Sequence, residues 1–321
     1  MLKQSCLSLV AAALLSSAFP AWSQELPDGP GKELVAAQCN SCHALSARVG
    51  AGYTATGWRT VMRMMINLGV PIPPDQLATM TGYLTKNFPE KAKPAGMVIP
   101  GPARVSIKEW RVPTAGSRPH DPLATADGAL WYTGQMTNVL GRLDPKTGEI
   151  KLLTPPTPKS RPYGMAVNSK GTVFVVEFGT NKVASVDPNS LEIREYPLPD
   201  AAARPRRVTI TSDDIVWYTD FARGYLGRLD PATGKVTEWR SPSGPKSEPY
   251  GISAISDIIW YSESGSSPNT VVRFDPRTGA FQSWAIPGGG NIVRNTSVTR
   301  AGDFVLANSL VNSVTLVKIS R

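Results

Sequence analysis

The apolar positions of this 321-residue chain change their period once, and the change divides it. Up to about residue 90 the period is helical. Residues 31–38 read as a short helix. Within 58–68, Val61, Met62, Met65 and Leu68 recur three and four apart, one face of an amphipathic helix. Pro71, Pro73 and Pro74 stop that run, and Pro74-Asp75 opens another through Leu77, Met80, Tyr83 and Leu84 to Phe88. From about residue 104 the apolar runs are short, β-branched and aromatic, with turn residues between them. Residues 129–133, 172–176, 215–219 and 258–262 share one phase, with Trp131, Phe174, Trp217 and Trp260 at the same place in each.

The second region repeats itself. Arg118-Pro119-His120, Arg161-Pro162-Tyr163, Arg204-Pro205-Arg206 and Glu248-Pro249-Tyr250 lie 43, 43 and 44 residues apart. Each copy continues to an Asp-Pro turn, at Asp144, Asp187, Asp230 and Asp275, and then to a fourth apolar run such as 192–196, 235–239 or 281–284. A fifth, degraded copy runs from Asn291 to Ile319. Four short strands in a period of this length make a propeller blade. A β-sandwich would not hold the spacing constant with the same aromatic at the same phase. The fifth copy stops after its third strand, while Ile107-Lys108-Glu109-Trp110-Arg111-Val112-Pro113 reads as a fourth strand lacking its first three. Pairing these two ends would complete the last blade and hide its edges. Five four-stranded blades closed by an N-terminal strand are therefore expected. Pro94, Gly96, Pro100, Gly101 and Pro102 mark residues 91–103 as a linker.

Chemistry enters at Cys39-Asn40-Ser41-Cys42-His43, a C-x-x-C-H run. Two thiols so spaced can each form a thioether to a haem vinyl group, and the adjacent imidazole can ligate the iron. A structural zinc needs four ligands, and outside this run the chain has only Cys6 and His120 to add from cysteine and histidine. Cys39 and Cys42 are thus the expected covalent haem attachments and His43 the axial ligand. Residues 1–23, with Lys3, an apolar stretch to Phe19 and Ala21-Trp22-Ser23, read as a signal peptide cleaved near Ser23. The apolar stretch falls short of the roughly 20 residues a spanning helix needs. The expected location is periplasmic, with no membrane span after cleavage. The remaining bounds are a haem domain at 24–90 and a propeller at 104–321. The net charge of +9 favours acidic partners. No lysine-rich run with interleaved aromatics points to nucleic acid.

Two resemblances sharpen this. A chain bearing the C-x-x-C-H run resembles a bacterial c-type cytochrome. Trp58, Met65 and Gly69, followed by Gly82-Tyr83-Leu84-Thr85-Lys86-Asn87-Phe88, resemble haem domains associated with quinoprotein-type dehydrogenases. That likeness makes Met65 the sixth haem ligand and a periplasmic redox partner, such as a dehydrogenase of that type, the electron donor. From the residues alone Met62, Met64 and Met80 stand beside Met65 as candidates. The second resemblance is of residues 104–321 to the virginiamycin B lyase (streptogramin lyase) propellers, through x-P-H/Y-G-I, W-Y/F-T-E and G-R-L/I-D-P-x-T-G. Family members usually have seven blades, and this chain has room for about five. The resemblance implies a magnesium-assisted elimination that opens a cyclic depsipeptide, with two histidines as acid and base. Glu248 and Glu263 fall on the family's glutamates and are the magnesium candidates. Tyr250 and Arg206 fall on its two histidines. Arginine does not give up its proton, and a tyrosine titrating near pH 10 is a poor base at neutral pH. The elimination is accordingly not carried over.

First strands line the central channel of a propeller. His120, Tyr163, Arg206, Tyr250 and Arg294 should therefore ring one mouth, with Glu177, Asp220, Glu263 and Asn308 near them and Arg118, Arg161 and Arg204 adding charge. Two ligands are open: an anionic small molecule, or a cation held by Glu248 and Glu263. The expected function is electron transfer by one covalent haem, with a propeller for ligand or partner binding. The alternative is a lyase-like or oxidoreductase enzyme whose active site is this mouth, with Glu248, Tyr250, Glu263 and Arg206 as its catalytic candidates. A further alternative is a binding module in which haem is structural.

Overall fold

Three helices form where apolar residues recur three and four apart: α1 (Lys32–Cys39), α2 (Ala55–Asn67) and α3 (Pro74–Asn87). The structure, a computed structural model, describes residues 26–40, 45, 49, 52–290, 292–309 and 313–319. The expected signal peptide, Cys42 and His43 lie outside the described residues. Contacts divide the chain into one unit of residues up to Arg59 with Pro71–Gly96, and another of Thr60–Val70 with Met97–Arg321.

In the first unit α1 packs on α3. Gly31, at φ 97°, precedes α1, and a Cβ there would stand 2.9 Å from Cβ of Tyr83, so only glycine allows the approach. Val35, Met80 and Leu84 are buried between the helices, and the Tyr83 hydroxyl donates to the Pro27 carbonyl at 2.6 Å. The Trp58 indole donates to the Phe88 carbonyl at 2.8 Å. No described helix is long and apolar enough to cross a membrane.

The second unit is a five-bladed β-propeller. Blade one is β1 (Pro119–Ala124), β2 (Leu130–Gly134), β3 (Val139–Leu143) and β4 (Ile150–Leu153). Blade two is β5 (Pro162–Val167), β6 (Val173–Glu177), β7 (Lys182–Val186) and β8 (Ile193–Pro197). Blade three is β9 (Pro205–Ile210), β10 (Val216–Asp220), β11 (Tyr225–Leu229) and β12 (Val236–Arg240). Blade four is β13 (Pro249–Ile255), β14 (Ile258–Glu263), β15 (Thr270–Asp275) and β16 (Ala280–Ala285). Blade five holds β17 (Val293–Val298), β18 (Phe304–Asn308) and β19 (Ser313–Val317). Every sheet is an antiparallel meander in chain order, and the first strands β1, β5, β9, β13 and β17 pack on one another in turn.

The repeated residues explain the repeated shape. Each Asp-Pro aspartate accepts a backbone N–H two residues on: Asp144 from Lys146, Asp187 from Asn189, Asp230 from Ala232 and Asp275 from Arg277. Such Asx turns close the hairpin between third and fourth strands. The aromatic at constant phase welds neighbouring blades. Trp217 lies 5.7 Å from the Phe274 ring of blade four, and Trp260 lies 6.1 Å from Phe304 of blade five. In blade three the glycine of the G-R-L run gives Tyr218 its place, since a Cβ on Gly227 would stand 2.0 Å from the tyrosine ring. Serine–aspartate clasps join successive blades, Ser169 to Asp214 and Ser212 to Asp257.

The expected closing strand does not form. Residues 104–112 carry no strand, Val105 and Ile107 are exposed, and the described part of blade five ends with three strands. The Trp110 indole instead lies beside Gly148, in the turn between β3 and β4 of blade one. An alternating sequence fits a pleated surface but does not supply a partner. The segment takes the neighbour nearest in sequence.

Candidate functional site

The Arg-Pro and Glu-Pro steps open the first strands at one mouth of the propeller. Arg118, Arg161 and Glu248, the residues before the prolines of blades one, two and four, all hold positive φ, at 49°, 52° and 48°. The preceding serines, Ser117, Ser160 and Ser247, are buried. A strained backbone recurs at the same place in three blades, beside the channel.

Four of the five residues expected to ring this mouth are in mutual contact. The His120 imidazole stacks on Tyr163 with centroids 4.6 Å apart. The hydroxyls of Tyr163 and Tyr250 lie 2.9 Å apart and share a hydrogen bond. Arg206 lies among the rings, its guanidinium 4.1 Å from the Phe221 ring, 4.4 Å from Tyr250, 4.6 Å from Phe178 and 5.7 Å from Tyr163. Four rings from three blades thus surround one cation. The fifth residue, Arg294, contributes its carbonyl, which accepts from Nε of Arg207.

Two features of this mouth were not singled out from the sequence. Phe178 and Phe221 each follow the acidic residue that ends a second strand, so their shared repeat position was available as a signal. Arg207 pairs with Asp121, and His120 Nδ1 lies 2.7 Å from the same carboxylate, without hydrogen-bond alignment. Arg207, from blade three, therefore joins β1 and β17 through Asp121 and the Arg294 carbonyl.

The acidic residues are mostly occupied. Glu263 is fully buried and accepts from the Ser241 hydroxyl at 2.5 Å, from the Ser243 backbone and hydroxyl at 2.9 and 2.5 Å, and from the Thr270 hydroxyl. Asp220 is buried, accepts from the Arg204 backbone at 2.9 Å and pairs with Arg223 at 3.1 Å. Burial nonetheless raises its pKa. Glu177 is fully buried with one carboxyl oxygen unpartnered; burial and the neighbouring Glu195 push it up to about 7. Asn308 donates to Ser313 and Thr315 within blade five. Glu248 is half-buried beside Gly265. Among the described residues no group of three or more His, Cys, Asp or Glu could hold a metal ion, so Glu248 and Glu263 are not joined by a third such donor. Burial, then the bond with Tyr163, pushes the Tyr250 phenol up. That phenol therefore stays protonated where a base would be needed.

In the first unit, Cys39 is the described member of the haem-type run. It ends α1, is half-buried and free, and burial pushes its thiol up. Of the candidate methionines Met80 is buried in this unit, while Met62, buried, and Met64 and Met65, half-buried, belong to the Thr60–Val70 stretch of the second unit.

Fold and mouth together define a β-propeller whose channel entrance is aromatic and cationic. The chain belongs to the virginiamycin B lyase family, which its residues 102–274 match. A solved structure of catalytically inactive virginiamycin B lyase from Staphylococcus aureus with quinupristin is similar at 26% identity, over 66% of this chain and 73% of that one, with a TM-score of 0.59. A streptogramin B lyase structure shares the fold at 23% identity, over 67% of this chain and 74% of that one, with a TM-score of 0.58. Among curated proteins none matches the chain.

Proposed function

We propose that the protein is an exported single-electron carrier. In this reading Cys39 and Cys42 hold one haem covalently, His43 ligates its iron, and the propeller binds a partner or ligand rather than running its family's elimination. The observation that carries the proposal is Cys39, a free thiol at the end of α1 that opens a C-x-x-C-H run. A haem held there supplies a one-electron couple at iron. Export rests on the leader-like residues 1–23, and the electron donor in this reading is a periplasmic dehydrogenase of the quinoprotein type.

The mouth supports binding over the family's chemistry. The two positions that the resemblance assigns to catalytic histidines hold Arg206 and Tyr250. The first cannot take up a proton, and the second is held protonated. Glu263, one of the two magnesium candidates, already has four hydrogen bonds on its carboxylate.

Optical spectra of the purified protein test the proposal, oxidised and reduced, with and without carbon monoxide. A carrier with two firm protein ligands shows a low-spin reduced spectrum that carbon monoxide leaves unchanged. Met65→Ala should open the iron to carbon monoxide and lower the reduction potential, because thioether ligation raises it. Unaltered spectra in Met65→Ala would move the sixth ligand elsewhere. A protein lacking haem, or one that binds carbon monoxide readily as the wild type, would overturn the carrier reading.

A further inference from the structure

Two guanidiniums at the propeller mouth have no counter-ion. Neither Arg161 nor Arg206 is ion-paired among the described residues, and Nε of each is buried without an acceptor. Of the acids nearby, Glu177 keeps one oxygen unpartnered and is pushed toward its neutral form by burial, Glu248 pairs with neither arginine among the described residues, and the others are committed elsewhere. Asp121 serves Arg207 and His120, Asp220 serves Arg223, and Glu263 is enclosed by hydroxyls. The two arginines share one ring, Phe178, with Arg161 at 5.5 Å and Arg206 at 4.6 Å. Burial, then Arg206 and Arg118, disfavours the charge on Arg161. Arginine stays charged in proteins regardless, so the repulsion remains without a neutralising partner. Nearby rings do not replace the in-plane oxygen acceptors that guanidinium N–H groups take. What is missing is an in-plane acceptor carrying negative charge, for which a planar or tetrahedral oxyanion is the natural match.

We propose that Arg161 and Arg206 form an oxyanion site at the mouth of the propeller, which takes the carboxylate or phosphate group of a small molecule. Arg118, in the same register one blade earlier and also at positive φ, adds attraction at the entrance. The Tyr163–Tyr250 pair and Phe221 fix the Arg206 side chain, so little freedom is lost when the anion arrives. The proposal rests on the propeller being a binding module and does not depend on the haem.

Calorimetric titration of the full-length protein at low salt, with inorganic phosphate in one series and benzoate in another, tests it. Binding of at least one probe is expected, at least tenfold weaker in Arg161→Gln and in Arg206→Gln, and weakened by added salt. Heat with phosphate alone assigns the site to phosphate groups, and heat with benzoate alone to carboxylates. Absence of heat with both probes in the folded wild type overturns the site, as does affinity unchanged in Arg161→Gln. Arg161 stands at the edge of the aromatic cluster, so that variant keeps the test valid if loss of Arg206 disturbs folding. Haem spectra recorded on the same samples separate the two proposals, since either can fail while the other stands.

Discussion

Glu177 shows how one buried carboxyl sets a pH dependence. It ends β6 with one oxygen accepting from Thr180 at 3.1 Å and the other unpartnered. Its neighbour Glu195 is also disfavoured by burial, but hydrogen bonds from Lys182 and Thr157 outweigh that and keep it ionised. Glu177 is therefore the member that holds a proton, with a pKa of about 7 against an ordinary 4.5. The folded state then binds more protons than the unfolded one between those values, so this group's contribution to stability falls as pH rises from 4.5 to 7. Glu177→Gln should match the wild type in Tm below about pH 4.5, exceed it increasingly up to about pH 7, and keep a constant lead above that. Thermal melts across that range check this, and a variant less stable than wild type at pH 8 would refute it.

At the scale of elements, strands whose partner is a sequence neighbour could be read from the chain, and the one that needed a distant partner could not. The hairpins of blades one to four have turn chemistry beside them, in the Asp144, Asp187, Asp230 and Asp275 turns. Residues 107–113 alternate like a fourth strand, yet Trp110 settles beside Gly148 and Ile107 is 85% exposed. Proline at an exposed, unpaired position removes no ladder hydrogen bond. Ile107→Pro is accordingly expected to change stability by less than about 0.5 kcal/mol. Denaturant melts showing a loss of several times that would restore the closing strand.

For the whole molecule, charge is the property with a kinetic consequence. A net charge of +9 draws acidic partners together with it. If the protein exchanges electrons with an acidic redox protein, the bimolecular rate should fall by roughly tenfold or more between low and physiological salt, as screening shortens the reach of the field. Stopped-flow mixing at a series of ionic strengths measures this. A rate indifferent to salt would leave the charge without a steering role.

Period, repeat length, turn residues and the C-x-x-C-H run are local properties, and the sequence alone determined them: three helices, five blades, the hairpins within each blade, and the thiol that ends α1. It also determined which residues begin each first strand, and hence that His120, Tyr163, Arg206 and Tyr250 share a mouth. Tertiary structure decided what those residues do there. The angle between blades, which no local pattern encodes, brings Phe178 and Phe221 onto Arg206, sends Arg207 to Asp121, and surrounds Glu263 with hydroxyls. These contacts join residues up to two repeats apart in sequence. Whether a charge ends up paired or unpaired depends on distances of a few ångströms set by packing between blades, and this is why Glu263 is enclosed while Arg161 and Arg206 have no counter-ion among the described residues.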